Sequence, residues 1–198
     1  MTNASARAMR CKRLAKAAWD HVINDDPAGL ASILDEFLDE HEPETAAAWL
    51  MGFASDASQS AFHEACRRGR SQCAVEMIKR GLPPDGPIMG TRSAQALGLG
   101  PLGLAAHIGD CELGAYLIGA GADIERMGLQ GERPLRIAAE RNNFGMVEML
   151  IAAGAELDVI DAPSSALAAA VRAGGEECMF ALLEAGADPA AIFSGGVF

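Results

Sequence analysis

The segment PLGLAAHIGDCELGAYLIGAGADIE, starting at Pro101, recurs in register and without a gap as PLRIAAERNNFGMVEMLIAAGAELD from Pro134. A third copy, ALAAAVRAGGEECMFALLEAGADPA, starts at Ala166, and a fourth, AFHEACRRGRSQCAVEMIKRG, at Ala61. A period of about 33 residues is too long for a coiled-coil heptad and too short for a domain. It marks a stacked array of helical units, each of which buries its apolar face only against its neighbours. Half the residues are hydrophobic but only 5% are aromatic. The core is therefore built from Ala, Leu, Ile, Val and Met, which let helices approach closely.

Each copy divides into the same parts. Pro101 pre-sets a first helical turn, where its missing N–H costs nothing. Leu102, Ala105 and Ala106 form one apolar face, and Gly109-Asp110 breaks the helix. A second helix follows from about Cys111 to Gly119, with Leu113, Tyr116, Leu117 and Ala120 inward, and Gly121 supplies the left-handed residue that ends it. A polar, glycine-bearing segment at 122–133 leads to the next copy. The spacing predicts helix pairs at 61–69 with 71–80, 101–108 with 111–120, 134–141 with 144–153 and 166–173 with 176–185. The Ala-Ala pairs are expected at fully buried helix contacts.

This pattern resembles the ankyrin repeat. The residues that carry the likeness are Pro101-Leu102, Ala105-Ala106, Gly109-Asp110, Leu117-Ile118 and Gly121-Ala122-Asp123. The next copies repeat it with Pro134-Leu135, Ala138-Ala139, Leu150-Ile151 and Gly154-Ala155-Glu156, then Leu167, Ala170-Val171, Gly174, Leu182-Leu183 and Gly186-Ala187-Asp188. The first copy gives Phe62-His63, Ala65-Cys66, Gly69, Met77-Ile78 and Gly81. The family's helix-opening Thr is replaced by Ser60, Gly100, Arg133 and Ser165, and its His remains only as His63. The resemblance implies an all-α, right-handed solenoid of four repeats over residues 58–198, starting near 61, 101, 134 and 166. Residues 1–57 form a divergent helical cap. Within it, Ala18–Leu34 is similar to the second half of a degenerate repeat, with Asp25 or Asp26 as helix N-cap and Leu30, Ile33, Leu34, Phe37 and Leu38 facing inward. Glu44–Ala54 is expected to be helical, with Trp49, Leu50 and Phe53 turned in.

The net charge of −11 disfavours nucleic acid as the main partner. It is unevenly spread. Arg7, Arg10, Lys12, Arg13 and Lys16 precede any acid, and from Asp20 to Glu64 there are acids but no Lys or Arg. The basic start reads as the opening of a first helix, or as a targeting peptide; the helical spacing of Leu14, Ala15, Ala18 and Val22 favours the first. No apolar run is long enough to span a bilayer and no apolar stretch follows the basic start, so a cytoplasmic location is expected. The acidic run Asp35–Glu44 reads as a solvated face ahead of a partner site. Cys11, Cys66, Cys73, Cys111 and Cys178 form no CxxC motif and are expected as buried thiols in a reducing compartment. The dominance of Arg over Lys, with abundant Ala and Gly, points to a bacterial genome.

Motifs for chemistry are rejected on their context. Gly98–Gly103 spells GxGxxG, but no apolar strand precedes it, Pro101 removes a donor, and it coincides with a repeat start. His21, His41, His63 and His107 show no metal-ligand spacing. His63 and Cys66 share a helix but both occupy repeat positions. No catalytic, cofactor or metal site is expected.

Two features suggest a contact surface. The segment Leu82–Gly100 is longer than its counterpart at 122–133 and carries Ile88, Met89 and Arg92. In an ankyrin-like array the ends of the first helices, Arg67-Arg68, His107-Ile108, Glu140-Arg141 and Arg172-Ala173, face the concave side, joined by Arg126, Arg133 and Arg136 from loops and helix starts. The resemblance implies a non-catalytic protein-binding module, and the arginine stripe suits an acidic partner segment, since Arg pairs its N–H donors with a carboxylate. The alternatives are an immunity-type inhibitor, whose acidic N-terminal part neutralises a basic toxin or enzyme, and a bacterial effector acting in a host cell. The apolar Ile192-Phe193 and Val197-Phe198 are expected to fold back over the last helix pair or to dock on a second copy.

Overall fold

The computed structural model describes residues 3–40, 61–85, 98–159 and 165–190. All ten elements among them are helices, and the described residues contain no strand. They fall into two compact units, Met1–Ala96 and Leu97–Phe198. The copy that starts at Ala61 belongs to the first.

The second unit holds three helix pairs: α5 (Pro101–Ile108) with α6 (Cys111–Gly119), α7 (Pro134–Glu140) with α8 (Phe144–Ala152), and α9 (Ala166–Ala173) with α10 (Glu176–Glu184). First helices stack on first helices, α5 on α7 and α7 on α9; second helices stack likewise, α6 on α8 and α8 on α10. The boundaries follow local chemistry. Pro101 and Pro134 occupy the first turns of α5 and α7. Asp110 caps α6 by accepting the Leu113 N–H at 3.0 Å, and Ser165 caps α9 by accepting the Ala168 N–H at 3.1 Å. Each pair turns through a left-handed residue, Gly109 (φ 77°), Asn142 (φ 56°) and Gly174 (φ 70°).

The core lies between the two helix layers. Ala105, Ala106, Ala138, Ala139 and Ala170 are fully buried, as the repeat pattern requires, with Leu113, Leu117, Met146, Leu150, Leu167 and Leu182 closing around them. One expectation fails at the rim. Ala120, the C-cap of α6, is exposed because the helix has ended there. Leu183 on α10 is 36% exposed; among the described residues no further pair follows α10. Cys66, Cys73 and Cys178 are buried, but Cys111, at the start of α6, is only half-buried.

The first unit holds α1 (Asn3–Asn24), α2 (Pro27–Glu40), α3 (Ala61–Arg67) and α4 (Ser71–Lys79). Here too α1 pairs with α2 and α3 with α4, while α1 packs on α3 and α2 on α4. The N-terminal helices therefore stack helix on helix as the repeats do, which the degenerate sequence only hinted at. Leu14, Ala18 and Val22 meet Leu30 and Leu34 in the interior. Asp26, not Asp25, caps α2, accepting the Gly29 N–H at 2.9 Å; Asp25 takes the left-handed turn position (φ 57°). The Gly29 bond, helped by His21 at 2.9 Å, holds the Asp26 carboxyl below its usual range. The expected helix at Glu44–Ala54 and the tail at Ile192–Phe198 lie outside the described residues.

Candidate functional surface

In the first unit, Arg67 at the end of α3 and Arg68 just past it reach back to Glu64, whose side chain is buried. Arg67 donates to both carboxylate oxygens at 2.7 and 2.6 Å, and Arg68 donates through Nε. Burial works to raise the Glu64 pKa, but these bonds outweigh it and hold the carboxyl below its usual range. Both guanidiniums, though partly exposed, are committed to a local acid. His63 beside them is buried, and desolvation lowers its pKa, keeping it neutral. Burial also pushes the Cys73 thiol up to about 11, which removes it as a nucleophile at neutral pH.

In the second unit the expected residues divide into two sets. Arg133, at the N-cap of α7, donates to Glu125 at 2.7 Å and Glu156 at 3.1 Å, while the Glu156 N–H donates to Glu125 at 2.8 Å. It is a brace between successive loops. Arg126 lays its stem over Gly100, where a Cβ would meet its Cδ at 3.1 Å. The second set stands at the ends of the first-layer helices. Ile108 is 40% exposed at the end of α5, Arg141 is exposed just past α7, and Arg172 is exposed in the last turn of α9. His107, half-buried, accepts a hydrogen bond from Arg141 through Nε2. Ile88, Met89 and Arg92 lie outside the described residues.

Sequence reasoning passed over three exposed apolar side chains. Met127 (52% exposed) and Leu129 (66%) stand on the 122–133 loop, and Val171 (42%) on α9. The loop is well tied, with Gly128 N–H donating to the Glu132 carbonyl at 2.8 Å and Leu129 N–H to the Gly98 carbonyl at 3.2 Å. Apolar residues in a segment without helical period were the available signal. The same loop covers Gly98-Leu99-Gly100, all buried, so this glycine segment has no open face for a phosphate. A shallow cleft beside α7, lined by Leu135, Leu157, Val159 and Ala166 with Arg133 and Arg136 at its edge, is open to solvent. Among the described residues no group of His, Cys, Asp and Glu could hold a metal, and no helix is long and apolar enough to cross a membrane.

Paired helices stacked in two layers around an alanine-rich seam, with solvent-facing helix ends and loops, define a helical-repeat protein. Residues 102–192 match the family model for ankyrin repeats (3 copies), so this segment is an ankyrin-repeat array. The copy that starts at Ala61 lies outside the matched residues. No curated protein matches the chain. Ankyrin repeats are generally protein–protein interaction modules and are typically non-catalytic.

Proposed function

We propose that the chain binds a partner protein, without catalysis, through the ends of its first-layer helices and the loops beside them. The observation that carries this reading is a segregation of charge within the second unit. The second-layer helices α6, α8 and α10 bear Glu112, Glu148, Glu176, Glu177 and Glu184 and no Lys or Arg. The cations, Arg136, Arg141 and Arg172 with Arg126 and Arg133, all lie on first-layer helices or on the loops and turns that adjoin them. Acids stand on that side too, Glu140 on α7 and Glu125 and Glu132 on the loop, but the described cations of the unit are confined to it. Exposed Ile108, Val171, Met127 and Leu129 add apolar contact area near helix ends and loop. Arg67 and Arg68 of the first unit, and Ile88, Met89 and Arg92 by their place in the sequence, are proposed as further contact residues. The repeat array at 58–198 with a cap at 1–57 is the domain arrangement that fits this use.

A second reading has its own support: the uniformly acidic second layer suits a basic partner, as an inhibitor of a cationic enzyme or toxin would. One experiment separates the two. A photoreactive side chain is placed at Ile108 or Arg172, and in parallel at Glu148 or Glu177, in the cell that makes the protein. Cross-linked partner at the first two positions alone is expected. Cross-links confined to the glutamates support the acidic-face reading, and none at any position removes both.

A further inference from the structure

The guanidinium of Arg141 is paired in an unusual way for so acidic a chain. Arg67, Arg68, Arg70, Arg80, Arg133 and Arg136 each lie within ion-pair distance of a carboxylate. Arg141 instead donates to the imidazole of His107, and the ion pairs among the described residues include none from it to an acid. Because Arg can only donate, His107 Nε2 must accept, so the ring is neutral and carries its proton on Nδ1. The cation thus rests on a weak, uncharged acceptor at the surface.

The pair is also held in place. Asn143 donates to the Ala106 carbonyl at 2.7 Å, tying the turn after α7 to the end of α5. Gly109 leaves room for this contact, since a Cβ there would stand 2.8 Å from Asn143 Oδ1. On the other side Asn142 accepts from Cys178 Sγ–H at 3.3 Å and packs against Gly175. The Arg141–Asn143 turn is thereby fixed to both neighbouring repeats, and Arg141 is presented with little freedom to lose on binding. Exposed Ile108 follows His107 at the end of α5.

Resting on the protein-binding reading above, we infer that His107 and Arg141 form a receptor for a carboxylate side chain of the partner, an Asp or Glu flanked by an apolar residue that covers Ile108. Arg141 supplies a paired N–H fork, and His107, once protonated, a second charged donor. The charged groups on the elements packed against α5 are Arg136 and Glu140 on α7 with Arg141 just past it, and Glu112 on α6 with its cap Asp110. Burial of the ring, and after it the Arg141 charge, hold the His107 pKa below its ordinary value while Glu140 works to raise it, so the imidazole of the free site is neutral. A bound carboxylate reverses the balance. Binding then takes up a proton, and affinity rises as pH falls through the raised pKa of the complex.

The test uses the full chain and a capped Leu-Glu-Glu-Leu tetrapeptide, with the Gln-for-Glu peptide and acetate at equal carboxylate concentration as controls. The His107 imidazole signal, assigned with His107→Asn, is titrated by NMR. The acidic peptide should raise the His107 pKa by about one unit and bind roughly tenfold tighter at pH 5.5 than at pH 8. Arg141→Gln should abolish both effects, and Arg141→Lys, which keeps the charge but not the fork, should retain part of them. An unmoved His107 pKa, an equal shift with acetate or the Gln peptide, or a full shift in Arg141→Gln would overturn the inference. A partner cross-linked at Arg172 whose binding ignores pH and Arg141→Gln leaves the protein-binding reading intact and removes this one. A peptide response without any cross-linked partner does the reverse.

Discussion

Ala138 has no solvent exposure and sits on α7, which packs against both α5 and α9. A methyl group is what the spacing of three helices leaves room for. Ala138→Leu should overpack this seam and cost about 1–3 kcal/mol, read as a fall in the melting midpoint. An unchanged midpoint would mean that the seam has slack. Glu64 poses the opposite problem, a buried charge that must stay charged. Its folded pKa is depressed below the ordinary 4.5, so its contribution is present above that value and is lost as pH falls through the folded pKa. Glu64→Gln should cost about 1–3 kcal/mol at pH 7 by urea unfolding, and the gap from the parent should close below about pH 4.5. A gap that does not change with pH would show that the carboxylate is not what Arg67 and Arg68 stabilise.

The turns between paired helices show how an element is set by one backbone angle. Asn142 holds φ 56° where the other copies place Gly69, Gly109 and Gly174. Asn tolerates this region because its short side chain bonds locally, and here it also meets Cys178. Asn142→Ala should cost about 1–2 kcal/mol, with Asn142→Gly costing less; equal losses would assign the whole effect to the Cys178 contact. The helix pairs themselves were legible in the sequence because Pro, Ala-Ala and Gly recur at fixed places, and local rules suffice to place them. The pairing of α1 with α2 was harder to read, since only Asp25-Asp26-Pro27 and the spacing of Leu30 and Leu34 survive there. The candidate surface was legible as a row of positions but not as chemistry. That Arg67 and Arg68 serve Glu64, that Arg133 braces Glu125 to Glu156, and that Arg141 meets His107 depend on contacts between side chains up to a repeat apart in sequence. Repeat register places those positions near one another but says nothing of which side chain each guanidinium chooses.

Among the described helices of Leu97–Phe198, the main contacts run between a helix and its partner or its stacking neighbours. Such a unit has no central core on which everything else depends; its stability is a sum of pair terms and interface terms. Its buried residues, from Leu102 through Leu182, are distributed over all three pairs. A fragment of residues 97–198 should therefore fold alone and unfold cooperatively in urea. Removing α9 and α10 has a different consequence. α7 packs on α9, and α8 on α10, so the truncation uncovers the α9-facing sides of both remaining helices of the middle pair. It also removes Leu167, Ala170 and Leu182 from the interior. Two pairs alone fall short of the roughly three repeats needed to bury a continuous seam. Residues 97–159 should then lose most of their helical circular dichroism at 25 °C, while 97–198 keeps it. If 97–198 is itself unfolded, the pair terms are too weak and α5 to α10 depend on the rest of the chain. If 97–159 stays folded, the interface that α9 and α10 make with α7 and α8 contributes less than its buried alanines imply.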